Sequence, residues 1–170
     1  MSSSFKEIKP VDIPDNVFQL IGDDWMLITA GKIEDYNTMT ASWGGLGVLW
    51  GDPVSFCFIR PQRYTYNFIE KYENYTLSFF DKNYKKALQY CGAHSGRDVD
   101  KASAAGLTPI KDEEGIVYFN EARLVIVCKK IYYQDLVPEN FIDPDIDKNY
   151  VKKDYHRMYT GRITRCLIKY

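Results

Sequence analysis

Two arginines close an apolar strand. The run 54–59 (VSFCFI) leads directly into Arg60 and Arg63, and Thr65 follows. Guanidinium forks pair bidentately with phosphate oxygens. From Thr65, apolar positions recur at helical spacing over 65–72, so Thr65 reads as the N-cap of a helix. The free N–H groups and dipole of a helix start would add to the attraction for an anion. Upstream, the segment 37–43 (NTMTASW) supplies hydroxyls and backbone donors suited to a flat polar ring. One phosphate and one polar ring describe a mononucleotide-like ligand. The competing reading is a β-hairpin whose arginines are merely solvated.

The elements that must position these residues are mostly strands. Apolar runs at 25–30 (WMLITA), 54–59, 75–80 (YTLSFF), 117–119, 123–133 (RLVIVCKKIYY) and 163–169 are strand candidates, and 37–43 is a further strand that frays into a glycine-broken loop, 44–51. Helices are expected at 65–72, at 83–91 closed by Gly92, and at 98–105 ended by Gly106, with a turn at 94–96. The stretch 17–21 is a short apolar turn. A loop with Pro138 and Pro144 occupies 136–146, and 155–161 turns the chain into its last strand. Residues 1–15, with Pro10 and Pro14, read as an arm lying across a partner subunit. The fold class is mainly β (α+β), a small barrel with helices packed outside it, in one domain over 1–170.

Composition removes several functions. The chain has 170 residues and a net charge of −1 with no basic run, which disfavours nucleic-acid binding. The pairs Lys85-Lys86 and Lys152-Lys153 read as solvated faces. Four scattered cysteines without a CxxC, and only two histidines, lack the spacing of a zinc site. Cys57, Cys128 and Cys166 lie in apolar runs, where cysteine acts as a small hydrophobe. No signal peptide and no membrane-length apolar run stand out, so a cytoplasmic setting is expected. Fourteen tyrosines suit a cofactor pocket or subunit interface, or simply a β-rich core. The Gly44-Gly45-Leu46-Gly47 stretch fails as a dinucleotide fingerprint, because Trp50 stands where the last glycine belongs.

The blocks NTMTASWGG, DPVSFCFIRPQRYTYNFIE and HSGRDVDK occur here in that order, and together they resemble the flavin reductase-like family of FMN-binding split barrels, its flavoredoxin branch above all. The resemblance runs from about Trp25 to the C-terminus. It implies non-covalent FMN, with the phosphate on Arg60, Arg63 and Thr65 and the isoalloxazine along Met39, Thr40, Ala41, Ser42 and Trp43. Backbone donors there favour the reduced ring. Asn37, Ile59 and Asn67 flank these segments and complete the expected contacts. By the same resemblance Ser95, Gly96 and Lys101 approach the ring, with Lys101 at its pyrimidine side. Arg97 and Asp98 of that block form, on the plainer reading, a local ion pair. His156, in YHRMYTG, matches a histidine near the flavin or the nicotinamide and is the one candidate for a catalytic role. Where many relatives have a glutamate after the glycine of this motif, this chain has Arg162. The resemblance further implies a homodimer with sites at the interface, and NAD(P)H or a redox protein as electron donor. The alternatives are a flavin-binding module for storage or sensing, and a barrel whose aromatics form a partner surface.

Overall fold

The computed structural model describes residues 4–170. In chain order its strands and α-helices are β1 (Phe5–Ile8), β2 (Met26–Lys32), β3 (Asp35–Ala41), β4 (Gly44–Leu49), β5 (Asp52–Ile59), α1 (Tyr64–Lys71) and β6 (Asn74–Phe79). After these come α2 (Lys85–Ala93), α3 (Lys101–Ala104), β7 (Pro109–Lys111), β8 (Val117–Phe119), β9 (Leu124–Asp135) and β10 (Arg157–Lys169). Short helical turns at Pro10–Asp12, Gln19–Asp24, Lys82–Tyr84, Pro138–Asn140 and Pro144–Asn149 fill the connections.

Eight strands form one antiparallel sheet in the order β3-β2-β6-β9-β10-β5-β4, with β1 added beside β10; β7 and β8 pair separately. Strands β3 and β4 stand at opposite edges of that order, yet only Ser42 and Trp43 separate them in sequence. Such a link spans at most about 10 Å. The sheet must therefore curl until its edges nearly meet, giving a barrel split along one seam that Ser42 and Trp43 cross.

Burial on both faces explains why the strongest strands read as continuous apolar runs rather than alternating ones. Along β2, Met26 and Ile28 face the barrel interior with Tyr75, Ile126, Cys128 and Tyr159. Leu27 points the other way, with Val125 and Val127, beneath Ala87, Leu88 and Cys91 of α2. Cys57 and Cys166 also fill the interior, and the four cysteines are free and buried. No helix among the described residues is long and apolar enough to cross a membrane.

Outside the clefts, the structure departs from the element boundaries expected from sequence in five places. The expected glycine loop at 44–51 is strand β4, in register with β5 from Gly44↔Cys57 to Leu49↔Asp52. Glycines offer no side chains to alternate, so the backbone pairing leaves no periodic trace. The N-terminal arm is partly a strand: Phe5–Ile8 pairs with Cys166 to Lys169 of its own barrel, and Asp15 contacts Arg123 at 2.7 Å. Residues 1–3 of that arm lie outside the described residues. The turn expected at 155–161 is mostly the start of the 13-residue β10, which tolerates shifts of register at Thr160/Gly161 and Ile163/Arg165. The helix at 98–105 shrinks to α3, capped by Asp100, whose carboxylate accepts from Ser103 N. Gly92 lies inside α2, and His94 is its C-cap.

Candidate functional site

At the seam lies a cleft of about 500 Å³. One wall is the end of β3 and the crossing, Met39 to Trp43; the opposite wall is Phe58, Arg60, Gln62 and Arg63. Side chains alternate across β5, so Phe58 and Arg60 reach the cleft while Cys57 and Ile59 are fully buried in the core. Ile59 is thus a packing residue behind the site. The segment 149–156 forms a strap over the third side, contributing Asn149, Val151, Lys152, Asp154 and His156.

Arg60 is held by that strap. Its Nη1 donates to Asp154 Oδ2 at 2.8 Å, its Nη2 to the Asn149 carbonyl at 3.0 Å, and its Cζ sits 5.0 Å from the Tyr150 ring centre. Gln62 Nε2 donates to the same Asp154 oxygen, whereas Asp154 Oδ1 is buried without a partner. Burial alone would raise the Asp154 pKa, but the hydrogen bonds and charge of Arg60 bring it below the usual value. Arg63 donates from Nη2 to the Gly92 carbonyl at 3.1 Å. Its pKa is lowered by burial first and then by the charge of Arg60, and both side chains line the same cleft.

His156 is buried at 7% exposure, with Nδ1 2.7 Å from the Tyr150 hydroxyl and its ring centre 5.2 Å from that of Trp43. Burial, then the charge of Arg60, lowers its pKa to about 4, against a smaller opposing effect of Asp154. At neutral pH it is an uncharged hydrogen-bonding group. Trp43 is 47% exposed and lines the cleft as a surface ring.

A second cleft of about 570 Å³ continues along the N-terminal half of β3, bordered by Asn37, Tyr64, Gly96 and Lys101. Lys101 therefore belongs to this second space rather than to the cleft that holds Met39 to Trp43. It is 5% exposed, and its Nζ donates to the Cys91 carbonyl at 3.1 Å. Burial lowers its pKa to about 8, helped by the charge of Arg63. Thr40 Oγ1 donates to the Leu88 carbonyl at 2.5 Å. Helix α2 thus anchors Thr40 near its middle, and holds Arg63 and Lys101 through the Gly92 and Cys91 carbonyls at its C-terminal end, where the helix dipole favours cations.

Thr65 is not the N-cap. That position is Arg63, and Thr65 lies inside the first turn of α1, fully buried, its Oγ1 accepting from Asn37 Nδ2 at 2.8 Å. The pair joins β3 to α1, and Gly96 packs so closely there that a Cβ would overlap Asn37 Oδ1. Asn67, on the exposed side of α1, and Ser95, whose Oγ accepts from Arg97 N at 3.2 Å, border neither cleft. Arg97 makes no ion pair with Asp98; it stacks over Tyr64 at 4.7 Å. Arg162 pairs with Asp52 at 2.7 Å and borders neither cleft.

A family model described as the flavin reductase like domain matches residues 20–168. The chain belongs to the flavin reductase-like family. Among solved structures, an FMN-binding domain of a flavin reductase-like enzyme from Shewanella baltica is 14% identical, with a TM-score of 0.71 over 97% of this chain and 77% of that one. The flavoredoxin of Desulfovibrio vulgaris is 21% identical, with a TM-score of 0.67 over 95% of this chain and 77% of that one. An NADH:FAD oxidoreductase from Streptomyces globisporus is 14% identical, with a TM-score of 0.63 over 86% and 74%. No curated protein matches. These likenesses establish the fold, a split barrel.

In this flavin reductase-like chain the strap is what sequence reasoning missed. Asn149, Tyr150, Lys152 and Asp154 carry no motif, and 149–154 follows a proline-bearing loop. The available signal was the closeness in sequence of Phe141, Tyr150, Tyr155 and His156, whose rings the fold gathers: Phe141 meets Tyr150 and Tyr155, and Tyr150 meets His156.

Proposed function

We propose that this chain is an oxidoreductase that binds FMN non-covalently in the seam cleft and passes electrons from a reduced nicotinamide nucleotide, or a redox protein, to a second acceptor. The observation that carries this reading is the meeting of two guanidinium groups and the end of an edge strand in one cleft. Its volume of about 500 Å³ is in the range that accommodates a cofactor-sized ligand. Because β3 is an edge strand, its outer backbone N–H and C=O groups have no neighbouring strand and are available to a polar ring. The FMN-binding Shewanella neighbour supports the choice of flavin.

FMN, when bound, supplies an electron acceptor and donor that no side chain here provides. The chain's own groups do the positioning. Arg63, which donates to a carbonyl rather than a carboxylate, offers charge to a phosphate, and Arg60 lines the same cleft. The segment from Met39 to Trp43 orients the ring and His156 offers a neutral hydrogen bond at its edge. Lys101 lies in the neighbouring cleft, where its buried cation adds positive charge behind β3 rather than a direct contact with the ring. Exposed Val48, Trp50, Tyr132 and Tyr133, with Trp50 and Tyr132 in ring contact at 5.8 Å, suit a homodimer interface. Buried free thiols suit a reducing cytoplasm.

The test is the visible spectrum of the protein reconstituted with FMN, recorded anaerobically before and after NADH or NADPH. A bound flavin band that one of them bleaches is expected. A protein that takes up no FMN contradicts the reading; bound flavin that neither nucleotide nor a reduced redox protein bleaches favours the storage or sensing module.

A further inference from the structure

Building on the FMN reading, we infer that Asp154 holds, on Arg60, the place of the ligand's phosphate, so that flavin is an exchanging substrate here and not a retained prosthetic group. Arg60, Arg63 and Lys152 bring positive charge to the cleft, and Asp154 is the acidic side chain among the described residues that line it. It is not loosely placed. The Arg60–Asp154 pair is partly buried, with side chains 26% and 15% exposed, and Gln62 donates to the same carboxylate oxygen. The Asn149 carbonyl and the Tyr150 ring engage the same guanidinium, so the strap docks on Arg60 at three points.

A guanidinium that donates to a carboxylate and a carbonyl has spent its fork. A phosphate dianion entering this cleft either displaces Asp154, losing an ion pair and its neighbouring contacts, or accepts a carboxylate a few ångströms away and is repelled by it. Both outcomes lower affinity. Arg63 remains as the main electrostatic grip. Net attraction for the phosphate persists but is blunted, which weakens retention of FMN in either redox state and suits a flavin that enters and leaves.

The experiment compares equilibrium binding of FMN and riboflavin, which lacks the phosphate, in wild-type protein, Asp154→Asn and the double variant Asp154→Asn with Arg60→Ala. The wild type should prefer FMN only modestly and lose it on gel filtration. Asp154→Asn frees the fork and should tighten FMN by roughly tenfold while leaving riboflavin within about twofold, as expected for one regained charged hydrogen bond. Removing Arg60 as well should abolish the gain. Asp154→Ala with unchanged thermal stability serves as the second variant and should tighten FMN in the same sense. The inference is overturned if folded Asp154→Asn and Asp154→Ala bind FMN no more tightly than wild type, or if wild type retains stoichiometric FMN through the column. Failure of wild type to bind either flavin would instead overturn the FMN reading on which this one rests.

Discussion

At the scale of single residues, the site is a contest between charges and burial. His156 shows its direction most clearly. Burial and Arg60 lower its pKa to about 4 from an ordinary 6.5, while Asp154 pulls the other way and Tyr150, Trp43 and Phe58 pack around the ring. The unfolded chain therefore binds this proton more readily than the folded one. The stability that comes from keeping His156 neutral is present above pH 6.5 and is lost as pH falls from 6.5 toward 4. Replacing His156→Gln should flatten that part of the profile, so urea midpoints at pH 7 and pH 5 should differ less in the variant than in wild type. An equal or larger difference in the variant would contradict the assignment. Residue type alone marks Arg60 and Arg63 in the sequence as a candidate anion-binding pair, and the structure brings both to one cleft. That Arg60 is engaged by a side chain 94 positions away was not legible there, because no local pattern encodes a long-range ion pair.

At the scale of elements, legibility followed side-chain burial. The run at 25–30 and the first half of 123–133 were plain because both faces of their strands are covered, and 54–59 because most of its side chains are buried. Strand β4 was hidden because its glycines leave only backbone pairing, and Thr65 was misplaced by two residues because a buried hydroxyl bonded to Asn37 looks in sequence like a cap. The strap was hidden for a third reason: its order comes from Arg60, Phe141 and its own aromatic rings, not from periodicity. Helix α2 packs over β2 and β3. Leu27 is fully buried between the sheet and α2, so Leu27→Ala should cost about 2–5 kcal/mol in unfolding free energy. A loss below about 1 kcal/mol in denaturant titration would show that this layer is loosely packed.

At the scale of the whole molecule, topology makes the site. Edge strands that are neighbours in sequence but ends in the sheet force a seam, and the seam supplies the free strand edge that a polar ring can use. The barrel and the flavin reductase-like family follow from the whole pattern of strands, while the site's detail depends on how one strap meets one arginine. The account turns on what the seam cleft holds, and a crystal structure of the protein grown with FMN answers that directly. The expected result is the isoalloxazine beside Met39 to Trp43 with the phosphate at Arg63 and Arg60 and the Asp154 carboxylate shifted or closely opposed to it. FMN bound elsewhere on the barrel, or a cleft still filled by Val151, Lys152 and Asp154 at saturating FMN, would contradict it.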